Sequence, residues 1–238
     1  MPKILVAAHE SRESEAVLDA LSRVGVADDD LLPVHSGDGP VDVPAALDAA
    51  AGLVLCGGAD LHPRYYGEEP IPQARVSLQE GRDEMEWELV AAARERRLPV
   101  WAICRGMQVM NVFLGGDLWQ DMTLQRPGIV AHHVSWPRDA LLHRALVTAA
   151  GRGTAMGEVL GRETAWVNSR HHQAVRREAA DLVTVAVSPD GVVEAQVLDG
   201  GDWWVEAVEW HPENLMAMAQ QRALAERFTA AVAARRES

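Results

Sequence analysis

An α/β fold, with a mostly parallel central sheet flanked by helices on both faces, is predicted by three observations on the sequence. Short apolar runs at 4–8, 53–56 and 99–103 alternate with stretches of helical spacing, the order that builds a parallel sheet. Those runs are apolar at consecutive positions, as strands covered on both faces are. From about residue 145 to 208 the pattern changes to short β-rich runs separated by turn residues, which predicts extra antiparallel strands in the C-terminal half.

Taken in order, residues 4–8 form the first strand and 13–24 the first helix. A short helix over 45–51 leads into the strand at Leu53, whose apolar run ends in Gly57-Gly58, a loop that lets backbone approach a ligand closely. Residues 82–96 read as a helix with Trp87, Leu89 and Val90 on its apolar side. Asp83 and Glu84 in its first turn and Arg94, Arg96 and Arg97 at its end complement the helix dipole. The run 99–103 reads as a strand and 107–114 as a helix. Late in the chain, 182–187 is a strand closed by the turn residues Ser188-Pro189-Asp190-Gly191, and 215–234 is an alanine-rich helix. Arg235-Arg236 after it reads as a solvated tail.

With 238 residues and no Ser-, Gly- or Pro-rich break, the chain is expected to form one domain over 1–238. A formal charge of −13 argues against nucleic acid and anionic membranes as partners, since both select for clustered Lys and Arg. The N-terminal apolar run is too short for a signal sequence, no membrane-length run follows, and the 2 cysteines make no disulfide framework, so a cytoplasmic location is expected. The 8 tryptophans suit core packing by default, the alternatives for some being a substrate wall or the face of a homodimer.

Cys104 stands at the junction between the strand 99–103 and the helix that Gly106 opens. A sharp strand-to-helix turn there exposes a nucleophile, and the helix N-terminus is expected to favour its thiolate. About a hundred residues on, Trp210-His211-Pro212-Glu213 offers a base and its orienter. Residues two apart in extended chain share a side, so Glu213 can turn back to the His211 imidazole while His211 takes the thiol proton. Cys56, in an apolar run without a helix-opening context, reads as structural. The polar cluster 168–173 lines either a solvated loop or a polar pocket. No metal site is expected, because no H-x-x-x-H or C-x-x-C spacing is present and the adjacent pairs His132-His133 and His171-His172 point to opposite sides of an extended chain.

The stretch 102–108 (Ala-Ile-Cys-Arg-Gly-Met-Gln), with Asn111, Gly115-Gly116 and Gln120-Asp121, resembles the nucleophile region of class I glutamine amidotransferases. Arg105 after the cysteine is similar to the branch of gamma-glutamyl-gamma-aminobutyrate hydrolases, and so are 57–68, 167–175 and 188–195. The resemblance implies a flavodoxin-like fold and a Cys104–His211–Glu213 triad. It also implies an oxyanion hole from the Gly58 and Arg105 amides, and substrate contacts among Gln108, Asn168, Ser169, His171, His172 and Gln173. The implied reaction splits a small gamma-glutamyl amide through a cysteinyl thioester, with the kind of substrate met in polyamine breakdown. No cofactor and no ATP site are implied, and no Walker-type motif is present. The stretch 27–39 is short and rich in Asp and Gly, so whatever the family usually places there is expected to be absent or reshaped. Two other readings remain open: a glutaminase subunit feeding ammonia to a separate synthase, and a non-catalytic binding protein on the same fold.

Overall fold

The structure is a computed structural model that describes residues 3–198 and 200–235; Arg236 of the C-terminal pair lies outside them. The chain begins β1 (Lys3–Ala8), α1 (Ser11–Arg23), β2 (Leu31–His35), α2 (Val43–Asp48), β3 (Ala50–Leu55), α3 (Arg82–Arg96), β4 (Val100–Ile103) and α4 (Arg105–Phe113). There follow β5 (Asp117–Trp119), α5 (Met122–Gln125), β6 (His143–Val147), α6 (Ala155–Val159), β7 (Thr164–Val167) and β8 (Ala174–Arg177). The chain then runs through β9 (Leu182–Val187), β10 (Val193–Leu198), β11 (Val205–Val208) and α7 (Ala219–Ala234).

Among the described residues nine strands form one sheet in the order β2-β1-β3-β4-β11-β10-β9-β6-β7, and β5 pairs with β8 separately. The first five in that order run parallel, and the remaining neighbours pair antiparallel. The mostly parallel sheet with antiparallel additions in the C-terminal half is thus as expected. Its strands feed two cores, one on each face. Ile4, Val6, Trp101 and Ile103 pack with α1 and α7 on one side, while Leu5, Ala7, Val100 and Ala102 pack with α3 and α4 on the other. Among the described residues no helix is long and apolar enough to cross a membrane.

The elements differ from expectation in three places. β2 lies inside the Asp- and Gly-rich stretch and takes the sheet's edge, where Pro33, lacking an N–H, is tolerated. The helix expected over 45–51 is α2, which ends at Asp48; residues 50 and 51 belong to β3. The last helix begins at Ala219, because Pro212–Asn214 forms a separate 3-10 turn. Of the tryptophans, Trp101, Trp203 and Trp210 are buried, whereas Trp136 is 78% exposed and Trp166 is 47% exposed.

Candidate active site

The C-terminal ends of β3, β4 and β11, three adjacent parallel strands, deliver Gly57-Gly58, Cys104 and His211 to one place. Open α/β sheets bind ligands at that edge. Cys104 follows β4 directly and caps α4 with φ 51° and ψ −109°, a backbone conformation that costs a residue with a Cβ about 1–3 kcal/mol. Its N–H donates to the Val208 carbonyl at 2.7 Å, which ties the elbow to β11. Gly106 is required two residues on: a Cβ there would stand 2.6 Å from the Leu55 carbonyl oxygen.

His211 is set from two directions. Its main chain is bonded on both sides by the Asn168 carboxamide, and its Nδ1 lies 2.7 Å from Glu213 Oε1. An Nδ1–H held by a carboxylate leaves Nε2 as the proton-accepting nitrogen. His211 and Cys104 close on Gly57 together, since a Cβ on Gly57 would meet His211 Cε1 at 2.7 Å and Cys104 Cβ at 3.5 Å. The sequence leaves this need for glycine at 57 unspecified.

Arg82, at the start of α3, is fully buried and organises the glycine loop. It donates to the carbonyls of Cys56 at 3.0 Å and Gly57 at 3.1 Å, to Glu86 at 2.7 Å, to Gln79 at 2.7 Å and to Glu13 at 3.0 Å. In a planar trans peptide the N–H points opposite the C=O, so holding the Gly57 carbonyl turns the Gly58 amide away from Arg82. Arg82 also explains why position 58 has no side chain, because a Cβ there would fall 1.9 Å from its Nη1. The Arg105 guanidinium is buried in ion pairs with Asp83 and Glu86, leaving only its main chain at the elbow. Asp83, read from sequence as a dipole partner, therefore serves a buried cation as well as accepting the His62 N–H at 3.1 Å.

Burial pushes the Cys104 thiol well above its usual range, and Glu209 adds to this. Arg170 and the Arg105 amide pull the other way and are outweighed. This direction runs against the resting thiolate expected from the helix N-terminus: losing water costs the anion more than Arg170 and the Arg105 amide return. Cys56 is raised by burial too, in line with a structural thiol.

A cleft of about 390 Å³ opens over Cys104 and His211, lined also by Gly57, Gly58 and Glu213 and rimmed by Arg12, Arg138 and Arg170. The residues expected at the substrate are placed differently. Gln108 is buried and bonded to Glu209 at 2.5 Å and to the Gln173 carbonyl at 3.3 Å. Asn168 holds His211; the Ser169 hydroxyl donates to the His132 carbonyl at 2.6 Å. The Gln173 amide donates to the Gln120 carbonyl at 3.1 Å, and His171 is buried against the Gln173 carbonyl at 2.9 Å. His172 faces Asp60 at 2.9 Å. None of these six lines the cleft; from this segment only Arg170 does. A short polar run satisfies its own backbone and its neighbours first, and sequence does not say which member is left over.

A solved glutamine amidotransferase from Thermotoga maritima shares this fold with a TM-score of 0.61 and 12% identity, over 98% of this chain and 96% of that one. The peptidase C26 family model matches residues 9–213, and the chain belongs to that family of glutamine amidotransferase-like proteins. It is 43% identical over 184 residues to "Putative glutamine amidotransferase Rv2859c" of Mycobacterium tuberculosis, a match covering 77% of this chain and 57% of that protein's length. It is 32% identical over 216 residues to the gamma-glutamyl-gamma-aminobutyrate hydrolase PuuD of Escherichia coli, covering 83% of this chain and 82% of that one.

Proposed function

We propose that the protein is a cysteine-dependent hydrolase that cleaves the side-chain amide of a small gamma-glutamyl compound and releases glutamate. The observation that carries this reading is the convergence of Cys104 and the His211–Glu213 pair on Gly57. In the reaction, His211 Nε2 takes the Cys104 proton as sulfur bonds to the amide carbon. The oxyanion is held by the Gly58 and Arg105 amides. As the C–N bond breaks, the same imidazole returns the proton to the leaving amine. Water then adds to the thioester, giving its proton to His211; the C–S bond breaks, the thiol is restored and glutamate leaves.

The cleft rim supports a substrate rich in carboxylates. Arg12, Arg138 and Arg170 lie around the thiol, and an arginine fork matches a carboxylate. A gamma-glutamyl amide of an amino acid such as gamma-aminobutyrate offers one carboxylate at each end, while glutamine offers one only. Two free, buried thiols fit work in a reducing cytoplasm. No metal or cofactor has a part in these steps.

The test is glutamate release from gamma-glutamyl-gamma-aminobutyrate, gamma-glutamyl-putrescine and glutamine by wild type and Cys104→Ala. Release of the first by wild type alone, with a gamma-glutamyl adduct on Cys104 seen by mass spectrometry after rapid acid quench, is expected. Activity surviving in Cys104→Ala, or silence across the panel, overturns the reading.

A further inference from the structure

Away from the cleft, three imidazoles converge on one carboxylate in the interior. His132 lies between α5 and β6, His143 opens β6, His171 precedes β8 and Glu194 is on β10. All four are at least nine-tenths buried. His132 Nδ1 is 3.5 Å, His143 Nε2 3.4 Å and His171 Nε2 4.0 Å from Glu194 Oε1. These three nitrogens and both Glu194 oxygens are buried without a hydrogen-bond partner among the described residues.

The outward nitrogens explain why. His132 Nε2 faces the Asp190 carboxylate at 3.2 Å, His171 Nδ1 the Gln173 carbonyl at 2.9 Å and His143 Nδ1 the Arg144 carbonyl at 3.4 Å. Each of these outward oxygens accepts, so a ring that gives its N–H outward turns a lone pair toward Glu194. His171 Nδ1 also lies 3.2 Å from Glu209 Oε1, which leaves that assignment intact because the carbonyl can only accept. Lone pairs so turned repel the carboxylate unless a cation sits between them, a metal ion or a proton shared with His132. Histidines whose second nitrogen donates to a carboxylate or carbonyl are the usual surroundings of a metal ion. Four donors at zinc bond lengths in a tetrahedron stand about 3.3 Å apart. The His132, His143 and Glu194 donor atoms already lie within 4.8 Å of one another, and His171 stands outside that group with its Nε2 4.0 Å from Glu194 Oε1, so it must draw in to complete the set.

We infer that His132 Nδ1, His143 Nε2, Glu194 Oε1 and His171 Nε2 bind one divalent zinc ion as a closed structural site. The short-range spacings that led the sequence reading to expect no metal do not bear on ligands drawn from four separate segments. Imidazole with carboxylate suits zinc, and four protein ligands leave no open position for chemistry. The ion fastens to β10 the irregular stretch between α5 and β6, which carries His133, Ser135 and Arg138 of the cleft wall. This inference stands apart from the proposed reaction.

The test uses the full chain made without a histidine tag. Elemental analysis after gel filtration is expected to find about one zinc per chain. Protein stripped by a chelator is expected to melt lower and to recover by about 5 °C or more when zinc is added back at a hundredfold excess over its dissociation constant. Cobalt in place of zinc is expected to give the intense visible bands of a tetrahedral site. His143→Gln and Glu194→Gln are each expected to lose the stoichiometric zinc and its thermal effect. Wild type that lacks zinc and whose melting and cobalt spectrum ignore added metal overturns the inference, and so does zinc retained at full stoichiometry in both variants. The wild-type arms decide the matter even if a variant fails to fold.

Discussion

The Asn168 side chain grips the main chain of His211 on both sides, Nδ2 donating to its carbonyl at 3.0 Å and Oδ1 accepting its N–H at 2.8 Å. The same Nδ2 reaches the Arg138 carbonyl at 2.8 Å, so one carboxamide fixes the imidazole's stem and a cleft-wall segment together. An Asn168→Asp substitution sets acceptor against acceptor at two carbonyls. Its expected effect is a fall in kcat on the order of a hundredfold from a displaced imidazole, with KM changed far less. Steady-state kinetics on the proposed substrate check this, and a change confined to KM would place Asn168 at the substrate instead.

Gly57 leaves no room for a side chain beside His211 and Cys104. In Gly57→Ala the new methyl meets His211 Cε1 at 2.7 Å, and the imidazole must shift, straining its bond to Glu213. Activity is expected to fall by about two orders of magnitude or more, while overpacking costs the fold about 1–3 kcal/mol. Kinetics beside urea unfolding separate the two effects. Near-wild-type activity would show that the thiol and imidazole do not act across this gap.

Arg105 is a structural cation whose main chain alone serves the elbow. Arg105→Met leaves Asp83 buried without its ion-pair partner, although Glu86 keeps Arg82. Breaking a buried pair on one side costs about 3–5 kcal/mol, and adding Asp83→Asn is expected to recover part of it. Urea midpoints of the single and double variants give the answer. An unchanged midpoint in Arg105→Met would mean the pair contributes nothing.

The elbow and the His-Glu pair were legible because both depend on residues adjacent in sequence. Cys104 with Gly106, and His211 with Glu213, lie two residues apart, although His211 and Glu213 meet through a 3-10 turn and not through the extended chain expected. The strand alternation was legible for the same local reason, whereas β2 was not, since Pro33 and the surrounding Asp and Gly mask an edge strand that only pairing with β1 makes visible. The polar run at 168–173 was read as substrate contacts, yet its members satisfy carbonyls of the 132, 138 and 211 segments and only Arg170 turns to the cleft. The buried links from Arg82 to Gly57 and from Arg105 to Glu86 join residues about 20 apart or more, and no periodicity records such a bond.

Arg138 tests what the cleft recognises. It rims the cavity with Arg12 and Arg170, and Arg170 is already engaged, bonding Asn214 at 2.9 Å and the Arg138 carbonyl at 3.1 Å. Replacing Arg138 by Met removes a guanidinium while keeping much of the side chain's apolar length. If it meets the carboxylate of the leaving amine, KM for gamma-glutamyl-gamma-aminobutyrate rises about tenfold or more and glutamine hydrolysis is little changed. An equal rise for both substrates would move the contact to the glutamyl end.

The resting thiol sets the pH dependence of Cys104. Burial holds its pKa well above the ordinary value, with Glu209 adding to the rise and Arg170 too weak to reverse it. The sign follows: below a raised pKa the thiol stays protonated, so at neutral pH the free protein carries little thiolate, and that fraction grows about tenfold for each pH unit. Alkylation of Cys104 by iodoacetamide is therefore expected to be slow at neutral pH and to climb without a plateau from about pH 6 to about pH 9. A Cys104→Ala control accounts for any labelling of Cys56. The consequence reaches the mechanism, because a thiol that is not ionised at rest needs His211 to remove its proton as substrate arrives. A plateau already reached by about pH 7 would show a preformed thiolate–imidazolium pair and make that step unnecessary.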